Sequence, residues 1–325
     1  MKKLLLVILL LLMSGCHSLS SVNTRIFYDY FDTVITIHDY SSSDEQFRQY
    51  AQIVQDSLAR YDQLFSIYEP GENNLYAINR NAGIKAVECD EELIELLKLG
   101  QELYELSDGK LNIMAGSLTK VWKAVLKGER DVPTSAELSE LNIAMEALQI
   151  EGNCVYISDP GASIDVGALA KGYVGRLLKQ ELEAAGAECM GLDLGGNIVL
   201  VGQQPGGFTV GIRDPFGSDY PLCQLQLASG SLVTSANNLR CRLIDGVLYH
   251  HIIDPLTRYP AANYVSVTVL SEDSAWADGL STALFCLDQK TGLAIVESME
   301  GTEALWVYPD GRQQQSSGFG AYLKK

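Results

Sequence analysis

Neither Gly-x-x-x-x-Gly-Lys-Ser/Thr nor Gly-x-Gly-x-x-Gly occurs anywhere in the chain, which removes the P-loop and the Rossmann fingerprint as ways of holding a nucleotide phosphate. Cys-x-x-Cys is absent too, and the cysteines are widely and irregularly spaced, so neither a zinc site nor a dense disulfide scaffold is indicated. Basic residues are scarce: 24 Lys and Arg stand against 41 Asp and Glu, for a formal charge of -17. So acidic a surface excludes nucleic acid as a partner and a polybasic membrane patch. There is no internal repeat, low-complexity tract or clear interdomain linker.

The chain also lacks an apolar run of membrane-spanning length. Its most conspicuous run, Leu4 to Met13, follows the basic head Met1-Lys2-Lys3. It is about half the roughly twenty residues a bilayer-spanning helix needs, so it reads as a secretory signal and not as an anchor helix. Met13-Ser14-Gly15-Cys16 resembles a bacterial lipobox, in which the cysteine thiol receives lipid after cleavage; an ordinary signal peptide with an incidental cysteine is the alternative. The expected organisation is a lipoprotein signal over 1–15, a lipidated tether over 16–24 with Cys16 as its modified residue, and one domain over 25–325. The expected location is extracytoplasmic, held to the bacterial membrane by lipid alone. What remains is ordinary for a globular enzyme, with 47% hydrophobic and 20% charged residues.

Alternation over Arg25 to His38 predicts strand. Ser43 with Gln46 forms a capping-box pattern ahead of a helix carrying Phe47, Tyr50, Val54, Leu58, Tyr61 and Phe65, which is expected to stop near Glu69-Pro70-Gly71. A second helix starts at Asp90 and breaks at Ser107-Asp108-Gly109. Further helices are expected near Met114 to Leu126, Thr134 to Leu148, after Ala168 and around Ala275 to Leu287. Strands punctuated by Gly, Pro and Asn dominate from Asn153 onward, and Asp245-Gly246 is a two-residue hairpin turn. Helices early and antiparallel strands late give an α+β fold, helices packed on mostly antiparallel sheets.

Four segments could carry chemistry. Ile164-Asp165-Val166-Gly167-Ala168-Leu169-Ala170-Lys171-Gly172-Tyr173 reads as a short strand turning into a helix, which aims backbone N–H groups at whatever lies beyond it. Lys171 in the first turn opposes the helix dipole unless an anion relieves it; a solvated lysine after an ordinary turn is the alternative. Leu192 to Asn197, with Gly211-Ile212-Arg213-Asp214-Pro215, allows close backbone approach but also makes tight turns. Thr234-Ser235 precedes Tyr249-His250-His251-Ile252-Ile253-Asp254-Pro255, in which at most one histidine of a strand faces a given site. Asp278 and Thr282, four apart on a helix, present two hard oxygen donors on one face, as surface residues also do by chance.

Taken in order, Phe65-Ser66-x-Tyr68, Ser107-Asp108-Gly109, Asp165 to Tyr173, Leu192 to Asn197, Thr234-Ser235, His251-Ile252-Ile253-Asp254-Pro255 and Asp278-x-x-x-Thr282 resemble the ApbE family of FAD:protein FMN transferases over nearly the whole mature chain. The resemblance implies a T-fold-like α+β fold, FAD as substrate and Mg2+ at its pyrophosphate. It implies FAD contacts from Asp165 and Lys171, and a metal held by the Ala168 carbonyl with Asp278 and Thr282. Phe31, Tyr68, Lys110, Leu111, Asn112 and Ile252 or Ile253 would line the flavin or adenine pockets. His251 would activate the acceptor hydroxyl, with Asp278 the second catalytic residue. The implied partner is an exported flavoprotein modified on Ser or Thr. An FAD pyrophosphatase and a non-catalytic flavin-binding lipoprotein are the rival readings. Three positions depart from the family pattern: Phe31-Asp32-Thr33 in place of Met-Gly-Thr, Ala236 in place of glycine, and Arg258 in place of glycine, the last two expected to crowd the substrate loop.

Overall fold

A computed structural model describes residues 22–324; Cys16 and the lipobox lie outside them. Two strands open the described residues, β1 (Asn23–Tyr30) and β2 (Thr33–Asp39). The Ser43–Gln46 capping box starts helix α1 (Asp44–Phe65). That helix stops earlier than Pro70 suggests, because the Ser66 hydroxyl accepts from the Tyr68 and Glu69 N–H groups and turns the chain away.

The short α2 (Leu75–Arg80) and strand β3 (Val87–Glu88) lead to α3 (Glu91–Leu106) and α4 (Gly116–Lys127), close to expectation. The long helix expected over Thr134 to Leu148 is not formed. Thr134 caps a helix, α5 (Ser135–Ser139), but only five residues of it. Asn142 then diverts the chain by holding Asp159 and the Ala144 N–H, and β4 (Leu148–Glu151) and β5 (Cys154–Ile157) follow. The helical spacing of Leu138, Leu141, Met145 and Leu148 is divided among the short helix, a loop, a single 3-10 turn (Met145–Ala147) and a strand.

Residues 164–166, expected as a strand, carry no ladder; one parallel bridge joins Ser163 to Ala115. Asn79 holds the segment instead, its side chain both donating to the Ile164 carbonyl and accepting from the Ile164 N–H. Helix α6 (Ala170–Ala184) follows, then β6 (Cys189–Leu194), β7 (Asn197–Gly202), β8 (Phe208–Arg213), β9 (Pro221–Leu227), β10 (Gly230–Ala236), β11 (Cys241–Ile244), β12 (Val247–His250) and β13 (Ser266–Ser271). Helices α7 (Ser274–Cys286) and α8 (Gln289–Glu297) precede β14 (Glu303–Val307) and β15 (Gln313–Gln315).

The α+β expectation holds. An eight-stranded sheet runs β1-β2-β6-β7-β10-β13-β14-β15, its strand pairs antiparallel. One face is buried against α1, α3, α6 and α7 through Ile35, Ile37, Leu192, Val199 and Val267. The other is covered at its centre by the β8–β9 hairpin through Phe208, Val210, Leu225 and Leu227. Removing such apolar surface from water is the main force assembling the layers. The Asp245-Gly246 turn forms as expected, with both residues at positive φ, the signature of a type I′ hairpin.

Arg258 corrects one expectation. Its guanidinium does not crowd the substrate loop; it turns to the carbonyls of Leu138 and Leu141, while its own carbonyl accepts from the Trp122 indole. Its backbone sits at φ 65°, where glycine is unstrained. We therefore expect Arg258→Ala to lose about 2 kcal/mol, having surrendered two charge-assisted hydrogen bonds and kept the strain. Arg258→Gly should lose about 1 kcal/mol less, because it relieves that strain. Thermal unfolding of the two variants checks the order; glycine at or below alanine contradicts it.

Candidate active site

The start of α6 meets the start of α7. Gly172 is what permits the approach: a Cβ there would lie 2.3 Å from the Ser274 carbonyl and 2.4 Å from the Asp278 Cβ. The contact puts the Asp278 carboxylate on the N-terminal turn of α6, where its Oδ2 accepts the Gly172 N–H at 2.7 Å. A carboxylate at a helix N-terminus is favoured by the dipole. Gly172→Ala should force the helices apart, lower stability by about 2 kcal/mol and displace Asp278. Its melting temperature and turnover are expected to fall together; a native melting temperature would show the contact to be looser than the geometry states.

Asp278 is nearly inaccessible, and Lys171 is its cationic partner at 3.7 Å, beyond hydrogen-bond range. Burial pushes the Asp278 carboxyl above the usual carboxylate range, and Lys171 and the Gly172 N–H offset this only in part. The Asn197 amide nitrogen lies close enough to favour ionisation but makes no hydrogen bond of ordinary geometry. The site therefore holds a carboxylate whose charge is under-compensated. One turn on, the Thr282 hydroxyl is 3.3 Å from Ser235 on β10.

Ala168 completes the group. The Leu169 and Ala170 N–H groups go to Val166 and the Tyr173 N–H goes to Leu169, while Gly172, the donor that would ordinarily reach Ala168, is taken by Asp278. The Ala168 carbonyl is thus left out of the helix ladder. A carbonyl, a hydroxyl and one carboxylate are hard oxygen donors that suit magnesium, which commonly takes one or two carboxylates and completes its shell with phosphate oxygens and water. Among the described residues no cluster of three or more His, Cys, Asp or Glu offers a competing metal centre.

Asp165 lies on the other flank. Its carboxylate accepts from Lys123 at 2.8 Å, Thr119 at 2.8 Å and the Gly167 N–H at 2.9 Å. Burial alone would raise its pKa, but Lys123 and these hydrogen bonds more than reverse that, holding it below the ordinary range. Lys123 also donates to the Tyr68 hydroxyl at 3.1 Å and lies 5.5 Å from the centre of the Tyr68 ring, leaving the aromatic 60% exposed. Lys123 and Thr119 were not among the residues singled out from the sequence. Their four-residue spacing on a helix expected there was the available signal.

Phe31 and Asp32 form the β1–β2 turn with both φ angles positive, a rare conformation for phenylalanine. Asp62 fixes it by accepting the Phe31 N–H at 2.8 Å, and Arg240 donates to the Asp32 carbonyl. Gly195 leaves room for the neighbouring Thr33, whose hydroxyl a Cβ would strike. Lys110 is 2.7 Å from the buried Asp254, joining the 110–112 segment to the loop after β12. Leu111 is buried, and Asn112 spans the Ile143 carbonyl and the Met114 N–H, so these two shape the loop. Ile252 is buried beside them. A surface concavity of about 340 Å3 opens between Asp108, Gly109 and Leu256.

The two histidines part company. His250 is buried, its ring 2.7 Å from the Ala261 carbonyl and edge-on to Phe285, which marks it as structural. His251 follows the end of β12 and is exposed, its N–H given to the Arg240 carbonyl. Crowding on its protein side and then the Arg240 guanidinium lower the imidazole pKa to about 4. It is neutral at physiological pH, the form that accepts a proton.

An α+β protein that brings an under-compensated carboxylate, a freed carbonyl and a helix N-terminus to one spot presents groups suited to a phosphate-bearing ligand with a cation beside it. The chain belongs to the ApbE family, whose model matches residues 31–306. It is 32% identical over 268 residues to the FAD:protein FMN transferase of Treponema pallidum, covering 76% of this chain and 74% of that one. With the transferase of Klebsiella pneumoniae it shares 31% identity over 256 residues, covering 77% and 79%. The ApbE protein of Thermotoga maritima superposes with a TM-score of 0.86 at 27% identity, over 94% of this chain and all of that one. The flavin transferase ApbE of Vibrio cholerae gives 0.79 at 25% identity, over 93% and 100%.

Proposed function

We propose that this chain is an FAD:protein FMN transferase that moves the FMN half of FAD onto a Ser or Thr hydroxyl of an exported protein, with Mg2+ required and AMP released. The acceptor oxygen bonds to the FMN-side phosphorus, the P–O bond of the anhydride breaks, and AMP carries off the bridging oxygen. The meeting of α6 and α7 at Asp278 carries this reading. Asp278, Thr282 and the Ala168 carbonyl would hold the magnesium ion, which when bound polarises the pyrophosphate and neutralises charge developing on it.

The chain's own groups do the rest. Lys171 contributes a fixed positive charge at the phosphates. Asp165, kept ionised by Lys123, orients the cofactor, and Tyr68 and Phe31 supply aromatic faces for its rings. A ring nitrogen of neutral His251 takes the proton of the acceptor hydroxyl. Cys16 is the lipid attachment point, which places the enzyme on the outer side of the cytoplasmic membrane among exported acceptors.

Mass spectrometry of an exported flavoprotein incubated with the enzyme, FAD and Mg2+ tests the reading. An adduct of FMN mass on one Ser or Thr, matched by AMP, is expected. AMP with free FMN and an unmodified acceptor would make the protein an FAD pyrophosphatase.

A further inference from the structure

We propose that the outer face of the β1–β2 hairpin lies against the lipid bilayer and sets how the enzyme stands on the membrane, a proposal that rests on the lipid-anchor reading of Cys16. The β8–β9 hairpin covers the centre of that side of the main sheet, and the β1–β2 end extends past it with its apolar side chains in water. Val22 is 47% exposed, Ile26 45%, Tyr28 67% and Val34 50%.

The register explains why these side chains gather. Ile26 pairs with Thr36 and Thr24 with His38, while Phe27 and Ile35 pair on the opposite, buried face. Between Phe27 and Tyr30 the register slips, a bulge that sets Tyr28 and Asp29 opposite Val34. Tyr28, Ile26 and Val34 thus share one side, and Thr24 and His38 satisfy each other at 2.9 Å. Asp29 at the bulge is the one carboxylate among these positions, in a chain with 41 Asp and Glu. A strip of aliphatic side chains with a tyrosine at its margin has the composition of a membrane-interface contact.

Chain length selects the occupant. Cys16 and Val22 are six residues apart, a span of roughly 20 Å at full extension. A lipid on Cys16 therefore keeps this hairpin within reach of the headgroups, where even a few apolar side chains add to a single weak attachment. The opposite end of the hairpin is the Phe31-Asp32 turn of the proposed site, tied to the Arg240 segment ahead of His251. Contact along the strands would fix the height and tilt of the site above the bilayer.

The test uses the full lipidated chain, purified from membranes and reconstituted in vesicles of phosphatidylcholine with phosphatidylglycerol, with and without acyl chains brominated near the headgroup. Tyr28→Trp reports on the face. Ile84→Trp is the control, at a residue 72% exposed in the loop between α2 and β3. With the fluorescence of the unsubstituted chain subtracted, brominated lipid should quench Tyr28→Trp roughly twofold and leave Ile84→Trp unchanged. Flotation with the vesicles, lost in Cys16→Ser, reports separately on the anchor. Flotation without quenching at Tyr28→Trp overturns the bilayer contact and leaves the anchor standing. Emission that shifts with protein concentration and ignores bromination assigns the face to a second copy and also overturns it. A chain that does not float overturns both.

Discussion

Asp278→Asn is expected to lower FMN transfer roughly a thousandfold, about 4 kcal/mol of transition-state stabilisation, while the protein stays folded. The amide retains the shape of the carboxylate and an oxygen for the Gly172 N–H, so the α6–α7 contact has no reason to open. What it loses is the negative charge that is incompletely matched by Lys171. Because that charge is buried at a cost, its removal should leave the melting temperature unchanged or raise it. Loss of activity with retained stability separates a functional carboxylate from a structural one. If transfer at saturating Mg2+ fell less than about tenfold, the carboxylate would be no part of the machinery.

His251→Gln should cost transfer roughly a hundredfold to ten-thousandfold, the usual worth of a positioned base, with FAD binding nearly intact. The pH profile gives the second half of this prediction. A histidine at the ordinary value of about 6.5 would be half protonated there, and a base of that kind would fail as pH fell through that point. His251 is held at about 4. The active, neutral form therefore persists to lower pH, and the acid limb of kcat/KM due to this residue should lie between about pH 4 and 5. An acid limb centred near 6.5 that disappears in His251→Gln would show that the imidazole is not so crowded in solution.

Local sequence exposed some parts of this architecture and hid others, for physical reasons. The Ser43–Gln46 capping box and the Asp245-Gly246 turn are complete within four residues, so their geometry could be read directly. The pairing of Asp278 with Thr282 was visible from helical spacing, but the partner that gives it meaning, Gly172, lies more than a hundred residues away. Lys123 was passed over because a lysine in an amphipathic helix usually faces water, and the Asp165–Tyr68 pocket that receives it is made by tertiary packing. Arg258 was placed wrongly for a related reason: its position in the loop was legible, but its direction was set by the carbonyls of Leu138 and Leu141. Those carbonyls are presented to it because the helix expected through them ends after five residues. His250 and His251 are adjacent in sequence, and only the end of β12 decides which is buried.

A crystal grown with FAD and Mn2+, with data collected at the manganese absorption edge, addresses the core of the account. An anomalous peak within coordination distance of the Asp278 carboxylate, the Thr282 hydroxyl and the Ala168 carbonyl, and touching the FAD pyrophosphate, is the predicted result. A peak elsewhere, or FAD bound with its phosphates away from the start of α6, would contradict it.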